Sequence, residues 1–292
     1  MKGIRVLWIV IITLFFNNIS YAQSPISEKL KTIPTQDLEA LKRALFELMN
    51  KDHLIYTLFD VKPISFSGHF TVAPLGNFLS GCNKDGLFCK NWETWEKYKS
   101  LFPINHYVFF EEISSENIKS IVLINKQLFI DTVQMHLETF KEYLCQDITP
   151  TGLLSEIEKK QSLFSTIKHN PLLLGILLGY GKHNAELFYQ REKVRQFINN
   201  KYLPRVPYQI AKPSKPFSSL KEEYDFYHAK LKPFDDYHYS PLIVDPVHFV
   251  ADHQNSETIK LKERYKKARG RISKIYSKAD FLEVTLSKLM EL

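Results

Sequence analysis

Apolar residues at helical spacing limit the fold of this 292-residue chain more than any other sequence feature. Residues three or four positions apart share one face of an α-helix, so such a series predicts a helix with one buried side. One series follows Thr35 and another follows Asn125. Their members are Leu38, Leu41, Leu45 and Leu48, and then Leu128, Val133, Leu137, Phe140 and Leu144. We therefore expect a mostly helical protein.

The segment between His53 and Asn125 has a different residue pattern, which predicts strands. Short runs rich in β-branched and aromatic residues favour strands. These runs occupy residues 54–59, 64–72, 107–110 and 121–124. The predicted class is α+β, predominantly helical, with a small antiparallel sheet in the first half of the chain.

Capping signals mark the expected helix starts in the second half. Thr149 and Asn170 each precede a proline, as an N-cap residue precedes a proline at the first helical position. Near the end of the chain, Ser277 and Asp280 form a capping-type pair. We expect that pair to open a last helix over residues 278–292.

Prolines suggest how the chain is divided. Seven of the 14 prolines lie within residues 204–246, which disfavours long helices there. We expect an extended arm, interrupted by one short helix that a capping box from Ser219 to Glu222 opens. The predicted parts are a signal peptide at 1–22, a globular α+β domain at 23–203, a proline-rich arm packed on it at 204–250, and C-terminal helices at 251–292.

The first 22 residues are typical of a cleavable secretory signal. Lys2 and Arg5 precede an apolar run over residues 6–16. A membrane-spanning helix needs about 20 apolar residues, and this run is much shorter. Small residues before Gln23 suit a signal peptidase, so we expect cleavage after Ala22.

Export sets the expected compartment and charge of the remaining 270 residues. Removal of Lys2 and Arg5 lowers the formal net charge from +7 to +5, which is only mildly basic. No cysteine directly follows the apolar run to carry a lipid anchor. We expect a periplasmic or secreted protein without a transmembrane segment after signal cleavage.

The three cysteines are too few for a disulfide scaffold and too scattered for a zinc site. In an oxidising compartment Cys82 and Cys89 can pair across the turn-rich residues 83–86, or both can stay reduced. Cys145 follows Phe140 and Leu144 at helical spacing, so we interpret it as a small buried hydrophobic residue.

A glycine-rich turn near residue 180 is the first candidate ligand site. Its spacing departs from that of a phosphate-binding P-loop, and His183 stands where a hydroxyl is needed. Glycines and a lysine at a helix N-terminus can still bind an anion, while the alternative is a glycine that simply ends a core helix. The residues for this candidate anion or ligand site are Gly179, Gly181, Lys182, His183, Asn184 and Arg191.

Histidines and aspartates are concentrated in and after the proline-rich arm. They are His228, Asp235, Asp236, His238, Asp245, His248, Asp252 and His253. These side chains can bind zinc or act as a general base, yet none has the spacing of a helical metal motif. No G-x-S-x-G nucleophile motif or cysteine-protease signature is present. We expect neither a metal nor a cofactor.

A basic stripe on the helix after Ser256 is the second candidate site. Its members recur every three or four residues: Lys260, Arg264, Lys267, Arg271, Lys274 and Lys278. An apolar stripe runs beside it: Leu261, Tyr265, Ala268, Ile272 and Ile275. A basic amphipathic helix can contact anionic lipid, nucleic acid or an acidic protein. In the alternative, the apolar stripe packs on the domain and the basic residues are only solvated.

Three segments, taken together, resemble a family of uncharacterised exported proteins of intracellular Gram-negative bacteria. They are residues 56–66, with the sequence YTLFDVKPISF, residues 172–192, and residues 249–252 followed by Ser256-Glu-Thr and the basic helix. The resemblance implies export and no particular activity. It draws attention to Lys62 and to the turn at residues 181–184.

We therefore expect an exported, non-enzymatic interaction protein. Its basic helix or proline-rich arm would contact a partner protein or an anionic membrane surface, and export makes nucleic acid an unlikely partner. The alternative is a periplasmic or secreted hydrolase whose site is assembled from distant residues.

Overall fold

The computed structural model describes residues 25–50, 53–67, 70–71, 87–113, 118–198, 213–234 and 244–291. The predicted signal peptide lies outside these ranges, as do residues 204–212 and 235–243 of the predicted arm. Cys82 is also outside them, and only the backbone of Cys89 is described, so the predicted disulfide falls beyond the described residues.

The described chain is mainly helical, with two small sheets. In chain order its elements are α1 (Pro25–Lys31), α2 (Thr35–Asn50), α3 (Leu54–Leu58), β1 (Ile64–Phe66), β2 (Phe70–Thr71), α4 (Leu87–Tyr98), a 3-10 turn (Lys99–Leu101), β3 (Tyr107–Ile113), β4 (Ile118–Asn125), α5 (Lys126–Met135), α6 (Leu137–Leu144), α7 (Pro150–Lys160), α8 (Leu163–Thr166), α9 (Pro171–Leu177), α10 (Lys182–Ile198), α11 (Leu220–Lys230), β5 (Leu231–Pro233), β6 (Val250–Asp252), α12 (Ser256–Tyr276) and α13 (Phe281–Met290). The predicted α+β class, mostly helical with a small sheet in the first half, is confirmed.

Strand β4 is the centre of the larger sheet, which is antiparallel throughout. Strand β3 pairs along one side of β4, from Tyr107 opposite Asn125 to Ile113 opposite Lys119. Strands β1 and β2 share the other side. The second sheet joins β5 to β6, so a β-bridge connects the predicted arm to the chain just before α12.

Both faces of the larger sheet are buried. Ile121 and Leu123 of β4 point into one apolar core, formed with helices α2, α3, α4, α12 and α13. Val122 and Ile124 point into a second core, formed with α5 to α9. Successive side chains of a strand point to opposite faces, so four consecutive apolar residues in β4 require helices on both sides. The result is a three-layer arrangement with α12 in the first core.

One predicted strand is wrong: residues 54–58 form the helix α3. All five side chains are buried, including Leu54 and Tyr56. A short apolar run that is buried on every side has neither a helical nor a strand period, so its pattern cannot separate the two structures. The tertiary environment decides in favour of the helix.

The prediction that Cys145 is buried is also wrong, because this cysteine is exposed. Helix α6 ends at Leu144, and Cys145 caps it in the left-handed conformation with φ 52°. The change of backbone direction takes the side chain out of the stripe that Phe140 and Leu144 continue into the core.

The predicted helix starts are largely confirmed. Thr149 and Asn170 accept hydrogen bonds from the first turns of α7 and α9, and Ser219 caps α11. Asp280 caps α13, which begins at Phe281, three residues later than predicted. In the part of the chain that the structure describes, no helix is long and apolar enough to cross a membrane.

Candidate functional site

The predicted glycine turn links α9 to α10 and needs both of its glycines. Gly179 and Gly181 have φ angles of +74° and +86°, a region that side chains with a β-carbon rarely adopt. The Gly179 carbonyl accepts a hydrogen bond from the Tyr265 hydroxyl at 2.9 Å. The turn, which follows a helix of the second core, is therefore attached to α12 of the first core.

The N-terminus of α10 does bind an anion, and that anion is a carboxylate of the same chain. The backbone N–H groups of Lys182 and His183 donate to Oε1 and Oε2 of Glu257 at 3.1 and 3.0 Å. Free N–H groups and the helix dipole favour negative charge at this position. Since Glu257 occupies the turn, these N–H groups are not open to an external phosphate.

A buried amide completes the connection between α10 and α12. Asn184 is 1% exposed; its side chain accepts from the Asp252 N–H at 3.0 Å and donates to the Tyr180 carbonyl at 2.9 Å. It also exchanges hydrogen bonds with the Thr258 hydroxyl at 3.0 and 3.1 Å. Asn184 thus has a structural role in this turn.

Among the described residues, His183 of the predicted ligand site pairs with Asp252, which belongs to the group of histidines and aspartates in and after the predicted arm. His183 Nε2 lies 3.1 Å from Asp252 Oδ2. Burial favours a higher pKa for Asp252, but hydrogen bonds from His183 and from the Gln254 N–H outweigh it and lower that pKa. Such a pair can orient an imidazole for proton transfer.

A reaction would need a further group beside this pair. Within the described ranges, no hydroxyl or thiol is hydrogen-bonded to the His183 ring, and no cluster of histidine, cysteine and carboxylate side chains has an arrangement that holds a metal ion. The hydrolase alternative therefore gains no support from the described residues.

Other histidines and aspartates in and after the predicted arm have structural contacts. His253 Nε2 lies 2.8 Å from the Pro233 carbonyl oxygen, and its Nδ1 lies 3.1 Å from Lys262 Nζ. The Asp245 carbonyl accepts from the Tyr56 hydroxyl at 2.8 Å. Asp235, Asp236 and His238 lie outside the described residues.

Lys62 is buried next to the glycine turn. Its side chain is 3% exposed, and burial alone lowers its pKa to about 7. The ammonium lies 5.4 Å from the centre of the Tyr180 ring, and the Phe249 ring stacks on Tyr180 at 4.2 Å. Phe249 in turn stacks on Phe234 at 4.1 Å. A row of three aromatic rings therefore begins at this buried cation.

His53 is a second buried basic group in the same region. Burial, followed by the charge on Lys62, lowers its pKa to about 3. Among the described residues its Nε2 atom has no hydrogen-bond partner, and its ring lies 5.3 Å from that of His248. No local pattern in the sequence indicated His53, since only the tertiary fold brings residues 53, 62, 180 and 248 together.

Five members of the predicted basic stripe lie on the solvent side of α12, and the sixth, Lys278, follows two residues after the end of the helix. All six members are exposed, while Tyr265, Ala268 and Ile272 of the apolar stripe are buried in the first core. The Arg271 guanidinium donates to the Phe59 carbonyl at 2.8 Å, and Arg264 donates to the Val61 carbonyl. Two members of the stripe are therefore also structural.

Helix α12 carries eight basic and two acidic side chains. The basic ones are Lys260, Lys262, Arg264, Lys266, Lys267, Arg269, Arg271 and Lys274. In the described part of the chain none of the eight forms an ion pair with a carboxylate; the hydrogen bonds of Arg264, Arg269 and Arg271 all end on carbonyl oxygens. The six members of the basic stripe, five on α12 and Lys278 just beyond its end, are called the basic face of α12 below.

The sequence missed Glu257, which fills the predicted anion site. Its position one residue inside α12 is ordinary for an acidic residue in a first helical turn, and no local signal links it to α10. In comparisons with known proteins, no family model, no curated protein and no solved structure matches this chain.

Proposed function

We propose that this protein is exported and attaches to the anionic surface of a phospholipid membrane through the basic face of α12. The observation that carries the proposal is the charge of this helix: eight cations, two acids, and no carboxylate partner for any of the eight within the described ranges. Uncompensated positive charge on one face attracts anionic surfaces over a distance of about one Debye length.

The shape of the basic face suits an extended surface. Lys260 and Lys274 are about 21 Å apart along the helix axis, at 1.5 Å per residue. Because Tyr265 and Ile272 are buried in the core, the exposed lysines project from the solvent side of the helix. A row of lysines of this length can reach several lipid headgroups at once.

The types of residue favour lipid over an acidic protein as the partner. Arginine recognises carboxylates with a fixed two-pronged geometry, whereas lysine acts as a mobile point charge. The three arginines of α12 already donate hydrogen bonds to backbone carbonyls of this chain: Arg264, Arg269 and Arg271. The other five cations of α12 are all lysines, which suit a fluid array of phosphates.

The attachment would be peripheral. An interfacial amphipathic helix sinks its apolar face among the acyl chains, but the apolar stripe of α12 is in the protein core. Binding would therefore depend on charge and weaken as salt screens it. Each lysine next to an anionic bilayer contributes about 1 kcal/mol.

Vesicle flotation tests the proposal. The chain from residue 23 to 292, which contains every described residue, is mixed with vesicles of phosphatidylcholine alone or with phosphatidylglycerol. We expect binding only to the anionic vesicles, and loss of binding at high salt. Changing Lys260, Lys267, Lys274 and Lys278 to Gln should weaken the binding at least about tenfold.

A matched control separates the basic face from overall charge. Changing Lys159, Lys193, Lys215 and Lys232 to Gln removes the same charge from four exposed positions outside α12. This variant should bind nearly as well as the parent. Absence of binding by the parent at low salt, or equal loss in the two variants, overturns the proposal.

A further inference from the structure

A cavity of about 390 Å³ lies between α9, α10 and the segment that enters β6. Its walls are mainly apolar and include Leu174, Leu178, Phe188 and Phe249. Small-molecule sites typically have volumes of about 300 to 1,000 Å³ and walls of this kind, with a few polar groups that orient the ligand. The cavity is separate from the basic face of α12.

The polar groups on the wall of the cavity favour a ligand with a negative charge. Arg191 and His248 line the cavity, and none of the described lining residues is acidic. The Arg191 side chain is 13% exposed and pairs with Glu192 at 3.0 Å, but the same carboxylate also pairs with Arg195 at 3.2 Å. The single carboxylate of Glu192 thus pairs with two guanidinium groups, so a net positive charge remains at the Arg191 end of the cavity.

The far end of the cavity is aromatic. Asn184 and Arg191, which both line the cavity, are seven positions apart on α10, or about 10 Å along the helix axis. Tyr180 and Phe249 also line the cavity, and their rings stack at 4.2 Å. An apolar group held at Arg191 can therefore extend along α10 towards these rings.

We propose that this cavity binds a small apolar carboxylate, such as a medium-chain fatty acid. Arg191 receives the carboxylate through a charge-assisted hydrogen bond. The apolar tail lies along α10 towards Phe249 and the Tyr180 ring. The residues of the predicted ligand site thereby have two different roles. The turn at residues 181–183 binds the Glu257 carboxylate of this chain, whereas Arg191 binds the ligand in the cavity.

Calorimetric titration of residues 23–292 with octanoate tests the inference, with octanol and octylamine as probes of equal chain length. Octanoate should bind most tightly, octanol more weakly, and octylamine least. Arg191→Gln should weaken octanoate binding about tenfold or more and leave octanol binding unchanged. Retained octanol binding also shows that the variant is folded.

Two further variants sharpen the test. Arg195→Gln removes the other partner of Glu192 from an exposed position. Glu192 then pairs with Arg191 alone, so octanoate affinity should fall only slightly, far less than in Arg191→Gln. Leu174→Trp fills the cavity and should abolish binding of both octanoate and octanol. The inference is overturned if octanoate fails to bind the parent, if octylamine binds equally well, or if Arg195→Gln weakens binding as much as Arg191→Gln.

Discussion

The carboxylate of Glu257 lies against Gly181, so that a β-carbon at residue 181 would stand 2.8 Å from the Glu257 Cδ atom. The same carboxylate binds the first N–H groups of α10, which belongs to a segment 74 or 75 residues earlier in the chain. The absence of a side chain at Gly181 is what admits the anion that caps α10.

Gly181→Ala should destabilise the protein. The substitution forces an alanine into a φ of +86° and crowds Glu257. We expect the free energy of unfolding to fall by about 1 to 3 kcal/mol, measured by urea denaturation.

Gly270→Ala is the matched control. Gly270 lies inside α12, and its added β-carbon meets nothing within 4 Å. Alanine is a better helix former than glycine, so this change should stabilise the protein by up to about 1 kcal/mol. Similar losses in both variants would show that Gly181 has no special role.

Lys62→Met should change how stability depends on pH. The folded protein holds the pKa of Lys62 near 7, against 10.5 when solvated. Between these values the unfolded chain binds more protons than the folded one, so the stability of the parent rises with pH, by up to about 1.4 kcal/mol per unit. Below pH 7 Lys62 is charged in the folded as well as the unfolded state, so the folded protein bears the full cost of burying that charge. The stability of the methionine variant should not show the rise with pH.

Urea denaturation at the acidic and basic ends of this pH range measures how the stabilities of the parent and the variant differ. Lys62→Met should gain most over the parent at the acidic end. Lys267→Met, which removes an exposed lysine, should keep the parental slope. An unchanged slope in Lys62→Met would contradict a depressed pKa at this residue.

Asn184→Ala should be strongly destabilising. It leaves the Asp252 N–H and the Thr258 hydroxyl without their partner in a buried environment, and each unsatisfied group costs about 1 to 3 kcal/mol. We expect a loss of at least about 2 kcal/mol in thermal or chemical denaturation. Lys193→Ala, an exposed change on the same helix, should have little effect. Equal losses of stability in the two variants would refute the role given to Asn184.

Members of the basic face should separate into two classes. Arg271→Gln removes the hydrogen bond to the Phe59 carbonyl and should lower the free energy of unfolding by about 1 kcal/mol. Lys274→Gln should change stability by less than about 0.5 kcal/mol, although both variants lose one charge. If chemical denaturation finds equal stabilities, the contact of Arg271 does not stabilise the fold.

Local signals in the sequence were sufficient for most of the helices. Asn170 and Asp280 accept hydrogen bonds from residues two and three positions later, so capping involves only near neighbours. The stripes of α12 likewise depend on a period of 3.6 residues. Such features need no knowledge of the rest of the chain.

The sequence by itself determined the helical periodicity, the caps and the basic face of α12. Only the tertiary structure decided that residues 54–58 form a helix, that Lys62 is buried, and that Glu257 caps α10. The physical reason is range: propensity and capping act over one helical turn, whereas burial and the pairing of a carboxylate with a distant helix depend on how remote segments pack. The anion site was therefore visible in the sequence, but its occupant was not.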